Sequence, residues 1–467
     1  MDELVASGRS RGFAAFSEGN GKQVEVDSTF PPDSSIAWPA IYTGVNPYKL
    51  QLYDHSGRLR AYNVHDRLIG RTFWDYASKR DLSCCIINPI PIFPSWQVKG
   101  TMITGLTGSD VISAIPKSRE ETYRIPRMKY PRPPGVPSYP VLPGEHLRYY
   151  NTISEDSLDL SRFCIKMLTD RDYDLFFACF TTLDYAQHIL WRFSDPSDPT
   201  NPKINPLRGY LMRFYELFDG IVKKFLNEFG SEYTIAILSD HGNGRRPWKL
   251  FSLNELLRRS GLIEPPDLTK LQQIRSYLTC LAYQFACYSR TDLFAYRAYS
   301  VVKRRRMSMA LANLSPTTST AAAGEFGKQY GSITINESSA QKREQLTGRL
   351  LNYVGSLEVV ERAVRTRDVY GVTDDVSQPE IIVKLKDEYG FQHGCFAPLM
   401  QRNFERRIVS GGHFPRTRLM LWEGPNKTRL NPGTTFQLVD VTPSILEHLD
   451  VPIPGNMEGK GIWRCIS

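Results

Sequence analysis

An α/β fold, an α/β/α sandwich around a mostly parallel sheet, is predicted by two features of the sequence. Leu175 to Thr181 and Tyr233 to Leu238 are continuous apolar runs, and a helical segment from Leu207 to Phe229 lies between them. Strands that are apolar on both faces belong to sheets covered on both sides, and strand–helix–strand order makes such sheets parallel. A third feature places the chemistry. The polar stretches TLDYAQH and SDHGNG follow those runs directly, at the strand ends where open α/β sheets bind ligands.

The other elements follow in order. Met1 to Gly8 reads as the last turns of a helix closed by its C-cap glycine, and the apolar strand that normally opens this fold class is not found before it. SSIAWPAIYTG, from Ser34, predicts a loop running into a short helix. Cys84 to Ile87 predicts a short buried strand that ends at Asn88-Pro89. Residues 126 to 143 hold seven prolines, as expected of an extended surface loop. Ser157 to Leu168 carries apolar residues at helical spacing.

Pro265 to Met309 breaks the rhythm, with amphipathic helical spacing followed by Arg297 and the run Lys303 to Arg306. The core resumes with strands Ile381 to Leu385 and Leu419 to Trp422 and a helix from Thr442 to Leu449. The implied organisation is a catalytic α/β core, 1–264 with 310–467, interrupted by a helical basic insertion, 265–309.

Composition limits the function classes. With 467 residues, 41% hydrophobic and 23% charged, the chain can bury a large core and is not disordered overall. A net charge of +9 favours anionic substrates or surfaces, without implying specific nucleic-acid binding. Eight cysteines show no paired spacing, which predicts reduced thiols. Without a recognisable signal peptide or a long apolar span, the expectation is a soluble, cytoplasmic protein.

Five residues are candidate metal ligands. Asp184 and His188 lie four apart, on one face of a helical turn. Asp240 and His241 are adjacent at a strand end, and His413 follows two glycines that allow backbone to approach a site closely. Nitrogen and oxygen donors from three separate segments suit zinc or a similar divalent ion. Each piece alone is weak, since Asp-x-x-x-His pairs usually lie on helix surfaces and lone histidines are usually structural.

Their order along the chain carries more. WPAIYTGVNP, LDYAQH, LSDHGNG, SGGH and VDVTPSILEHLDVPIPGNMEGKGI resemble the alkaline phosphatase superfamily, most closely its type I phosphodiesterase/nucleotide pyrophosphatase branch. The likeness includes INPIP, GSITIN at 331–336 and PEIIVKLKD at 379–387, so it spans nearly the whole chain. It implies a phosphodiesterase or phosphomonoesterase that works through a serine nucleophile and two divalent ions, zinc or alternatively manganese. The implied nucleophile is Ser34, nine residues before Thr43 of the Thr-Gly step, with Ser35 an outside alternative. The plain alternative role for Ser34 is a helix N-cap. One implied ion is held by Asp184, His188 and His413, and the other by Asp240, His241 and the Ser34 oxygen. Asp54 and His55 stand near the family's phosphate-binding asparagine and are the implied substrate contacts.

The sequence departs from the family at Leu50-Gln51, where a His-Gly pair is common, and in lacking a counterpart to the aspartate of the family's first strand. That strand is internal to the fold, so its absence implies a slot flanked by unpaired backbone. An impaired family member that acts as a binding protein is therefore the alternative to an active enzyme. A sulfatase reading is poor, since the nucleophile position lacks a C/S-x-P-x-R context. The expected substrate is a small phosphate ester. Segment 270–306 is a candidate for weak peripheral membrane contact, against the blander reading of a solvated face.

Overall fold

The computed structural model describes residues 1–467 except 2–4, 53–60, 108–110, 119–124, 127–139, 141, 264–267, 290, 292, 295–311, 314–320, 327–328, 372–378, 393, 404–405, 426–427, 431–434 and 466–467. The elements run from strand β1 (Gly21–Asp27) through helices α1 (Ser34–Thr43), α2 (Ala61–Leu68) and α3 (Phe73–Lys79). Strands β2 (Cys84–Ile87), β3 (Gly100–Thr104) and β4 (Ser113–Ile115) precede the long helix α4 (Pro143–Asp170). Next come β5 (Leu175–Ala178), α5 (Thr182–Ser194), α6 (Tyr210–Phe229), β6 (Ile235–Leu238), β7 (Gly242–Arg245) and β8 (Lys249–Phe251).

Helices α7 (Leu253–Arg259) and α8 (Lys270–Tyr288) lead to β9 (Ala312–Asn313), β10 (Ala321–Phe326) and β11 (Tyr330–Ile335). Then follow α9 (Ala340–Gly355), β12 (Val360–Arg365), α10 (Thr366–Tyr370) and β13 (Ile381–Leu385). The last part holds β14 (Tyr389–Phe391), β15 (Gly394–Cys395), β16 (Met400–Arg402), β17 (Gly411–Phe414), β18 (Arg416–Trp422) and β19 (Thr428–Leu430). It ends with β20 (Phe436–Gln437), α11 (Val441–His448) and β21 (Trp463–Cys465).

Two four-stranded sheets carry the site. One has the order β4-β3-β2-β5, with β2 parallel to both β3 and β5, and the other has the order β20-β1-β18-β6. The sequence predicted a mostly parallel sheet, and the pairing is mixed. β18 runs antiparallel to both β1 and β6, and β4 antiparallel to β3. The reason lies in β1, which reads GKQVEVD. It alternates polar and apolar residues, as a strand with one wet face does, and so lacks the continuous apolar signal of a buried parallel strand. A strand therefore does precede Ser34, but it pairs with β18 and β20.

β5 and β6 are the facing ends of the two sheets. Among the described residues no strand pairs with β5 on the side away from β2, or with β6 on the side away from β18. Both line one cavity of about 1330 Å³, which separates the two half-sheets. The apolar side chains of β5 are accordingly only half-buried, and Ala236 of β6 is exposed.

Core residues from α1, α3, β2, β18 and α11 form one cluster that includes Trp38, Tyr42, Trp74, Leu419 and Leu446. A second core was not foreseen. Antiparallel strands β10-β11-β13-β12 bury Ile333, Ile381 and Val383 against Leu350 and Val354 of α9 and Leu253 and Leu257 of α7. Smaller ladders, β14-β8-β16, β15-β9, β17-β7 and β19-β21, complete the pairing. The seven described cysteines are free thiols. No helix among the described residues is long and apolar enough to cross a membrane. Most of the proline-rich stretch and Lys303 to Arg306 lie outside the described residues.

Candidate metal and phosphate site

Each ligand-bearing segment is aimed by the element before it. α5 starts four residues after β5 ends, which puts Asp184 in its first turn and His188 one turn on. β6 ends at Leu238, and Ser239-Asp240-His241 turns the chain into β7. β7 pairs with β17, setting His413 opposite Asn243. The glycines before His413 serve packing directly. A Cβ on Gly411 would lie 2.3 Å from the Gln187 carbonyl oxygen, so only glycine lets β17 approach α5 so closely.

Ser34 opens α1, and the helix is capped by the residue before it. Asp33 Oδ1 accepts from the Ser35 backbone N–H at 2.9 Å, which leaves the Ser34 hydroxyl free of capping duty. That hydroxyl lies 2.9 Å from His241 Nε2.

The three histidines share one protonation pattern. His188 Nδ1 lies 2.9 Å from the Gly411 carbonyl, His413 Nδ1 3.0 Å from the Pro32 carbonyl, and His241 Nδ1 3.0 Å from the Gly242 carbonyl. A carbonyl oxygen can only accept, so each Nδ1 carries a proton and each ring turns its Nε2 inward. His188 Nε2 and His413 Nε2 are 3.0 Å apart. Asp184 Oδ1 lies 3.3 Å from His188 Nε2 and 3.9 Å from His413 Nε2. Ligand atoms around one tetrahedral zinc stand roughly 3–3.5 Å apart, so two of the three separations already fit a coordination set and the third, 3.9 Å, is wider by a few tenths of an ångström.

On the other side, His241 Nε2 is 3.4 Å from Asp240 Oδ2, and its ring stacks on His413 with centroids 3.7 Å apart. Ligand atoms of Asp184, His241 and His413 also lie within 4.8 Å of one another, so the two sets form one continuous cluster. Asp184 Oδ1 and Asp240 Oδ2 are buried, with His188 Nε2 and His241 Nε2 at 3.3 and 3.4 Å, and a cation facing them would offset the cost of burying two carboxylates. The residues present therefore fit a divalent ion.

The electrostatics divide the histidines: against the effect of burial, the charge and hydrogen bond of Asp184 raise His188. Burial alone would raise the Asp184 carboxyl, but the charge and hydrogen bond of His188, with His413 and His241 behind it, hold it far below the usual range. Burial and the neighbouring His241 and His188 push His413 well down, favouring the neutral form that ligates metal. The Asp240 carboxyl is raised, chiefly by burial, against the opposing pull of His241 and Ser34.

Ser34, Asp184, His188, Asp240, His241 and His413 all line the one cavity, and Asp54 and His55 lie outside the described residues. Two further residues at the cavity went unnoticed in the sequence. Arg246 lines it, and Asn243 presents a buried amide without hydrogen-bond partners. The signal was their position in SDHGNGRR, two to six residues past the Asp240-His241 pair.

Among solved structures, phosphonoacetate hydrolase from Sinorhizobium meliloti 1021 in complex with phosphonoacetate is similar at a TM-score of 0.50 and 10% identity, covering 94% of this chain and 90% of that one. A multiply substituted form of the alkaline phosphatase PafA is similar at a TM-score of 0.51 and 11% identity, covering 99% and 95%. Murine ectonucleotide pyrophosphatase / phosphodiesterase 5 gives a TM-score of 0.45 at 12% identity over 95% and 91%. No curated protein sequence matches the chain. Residues 3–331, well over half the chain, match the family described as type I phosphodiesterase / nucleotide pyrophosphatase. The chain belongs to that family and is thereby a phosphoric ester hydrolase of the alkaline phosphatase superfamily.

Proposed function

We propose that the protein hydrolyses small phosphate monoesters or diesters by forming a phosphoserine at Ser34. The observation that carries this reading is the meeting of His188 Nε2 and His413 Nε2, 3.0 Å apart beside the Asp184 carboxylate and in the same cavity as the Ser34 hydroxyl. Two ring nitrogens so placed repel unless a proton or a metal ion lies between them.

Asp184, His188 and His413 would hold one divalent ion, and Asp240, His241 and the Ser34 oxygen a second, zinc or alternatively manganese. Such ions supply positive charge that acidifies a hydroxyl and offsets the charge of a phosphoryl group in flight. The rest is done by the chain. The Ser34 hydroxyl donates to His241 Nε2, which orients its oxygen into the cavity. The N-terminal end of α1 presents its positive dipole to an incoming phosphate. Arg246 and the Asn243 amide offer donors to the phosphoryl oxygens. Ser34 Oγ bonds to phosphorus as the ester oxygen leaves and takes up a proton, and water then cleaves the phosphoserine to regenerate the hydroxyl.

A second reading, a metal-binding protein with weak turnover, is favoured by one observation. Around Ser34 the described protein ligands are only Asp240 and His241, at the edge of the slot between the half-sheets. One experiment separates the readings: hydrolysis of bis-p-nitrophenyl phosphate and p-nitrophenyl phosphate, with and without added Zn²⁺ or Mn²⁺. Metal-dependent turnover that is lost in Ser34→Ala supports the enzyme. Tight uptake of a single ion without turnover supports the alternative.

A further inference from the structure

Helix α8 is built inside out. Its small residues Ser276, Cys280 and Ala286 face the protein and are buried. The Ser276 hydroxyl donates to the Cys395 carbonyl, and Gln284 exchanges hydrogen bonds with the Arg402 backbone. The opposite face carries Leu271, Ile274, Leu278, Leu281, Phe285 and Tyr288, spaced three or four apart along the whole helix. At 100° per residue these fall within an arc of about 100°, in a stripe about 25 Å long. All are exposed, with Leu271, Phe285 and Tyr288 at 76%, 73% and 64%. Soluble monomers rarely leave a continuous apolar surface of this kind uncovered.

Charge identifies the cover. α8 contains no acidic residue, and Lys270 and Arg275 are exposed at the margins of the stripe. At its far end the Arg402 guanidinium sits over the Tyr288 ring, 3.9 Å from the centroid. A second copy of the chain would set these basic flanks against each other. An anionic bilayer answers both features at once, with acyl chains for the apolar stripe and headgroups for the flanking cations.

We propose that α8 docks the protein on the surface of anionic membranes, lying in the interface without crossing it. The surface lies apart from the Ser34 site and does not depend on how that site works.

The test is co-sedimentation with vesicles of phosphatidylcholine alone or mixed with phosphatidylglycerol, using the wild-type chain and the double variant Leu278→Glu, Phe285→Glu. Both positions are exposed, so the variant should keep the wild-type circular dichroism and zinc uptake. The wild type should bind the mixed vesicles and release them as salt rises. The double variant should bind more than about a hundredfold more weakly, since two large apolar anchors are lost. Binding that ignores phosphatidylglycerol or survives the double substitution overturns the proposal. So does a wild-type dimer in sedimentation velocity that the double variant converts to monomer, because the stripe would then be a protein interface.

Discussion

His188 and His413 come from different elements, α5 and β17, yet their Nε2 atoms meet at 3.0 Å, while each Nδ1–H is bonded to a backbone carbonyl. The carbonyls of Gly411 and Pro32 thereby fix both rings in the ligating tautomer before any ion arrives. Such outer partners commonly tune metal affinity as strongly as ligand choice does.

Metal should therefore stabilise the fold. Zinc at a hundred times its dissociation constant would add about 2.7 kcal/mol, visible as an upward shift in Tm. His413→Ala should reduce the shift sharply, because it removes one of the three ligands that would hold the ion at Asp184. A wild-type Tm that is indifferent to zinc and manganese would refute the ion site.

Ser34→Ala should lower hydrolysis by on the order of 10³-fold or more, with zinc uptake at the Asp184 set retained. Mass spectrometry of acid-quenched wild-type enzyme should find phosphate on Ser34. Phosphate on Ser35 instead would reassign the nucleophile.

Asp198 and Arg406 form a fully enclosed ion pair, with side chains 0% and 1% exposed and a contact of 2.5 Å. Asp198 also caps the turn that holds Thr200, accepting from its backbone N–H and its hydroxyl. Asp198→Ala strands a buried guanidinium and should cost about 3–5 kcal/mol, measured as a lower denaturant midpoint. A cost below 1 kcal/mol would mean that water reaches Arg406.

His146 predicts an acid-sensitive fold. Burial is the main cause that pushes its pKa from 6.5 down to about 4, and its Nε2 is enclosed without a hydrogen-bond partner. The unfolded chain takes up this proton near pH 6.5 and the folded one only near 4, so acid favours unfolding. The contribution is intact above pH 6.5 and lost as pH falls toward 4, amounting to about 3 kcal/mol. His146→Phe should flatten denaturant midpoints between pH 7 and pH 5. An unchanged slope would assign the acid sensitivity elsewhere.

The legible parts of the fold were those with one dominant signal. β2, β5 and β6 are short continuous apolar runs, and the helices after them keep strict apolar spacing. The metal candidates were legible for the same reason, since Asp184 and Asp240 come directly after buried strands. β1 escaped because its alternation is brief, and the β10–β13 sheet because its pairing joins segments up to 54 residues apart, which no local window records. The capping role of Asp33, whose carboxylate holds the first turn of α1, has no signal in the sequence that separates it from Ser34 beside it. Arg246 was passed over because a surface arginine and a substrate-facing one look alike until β7 is folded against β17.

The cavity between β5 and β6 has a mechanical consequence. Asp184 hangs from one half-sheet and His241 from the other, so the distance between their ligand atoms gauges how the two halves sit. An ion gripped by both would act as a rivet across a seam that no ladder bridges among the described residues. Breathing of the seam would be felt first as slackness in the ligand cage, so the rate at which metal escapes should track the hydrogen exchange of the β5 and β6 amides that face the gap.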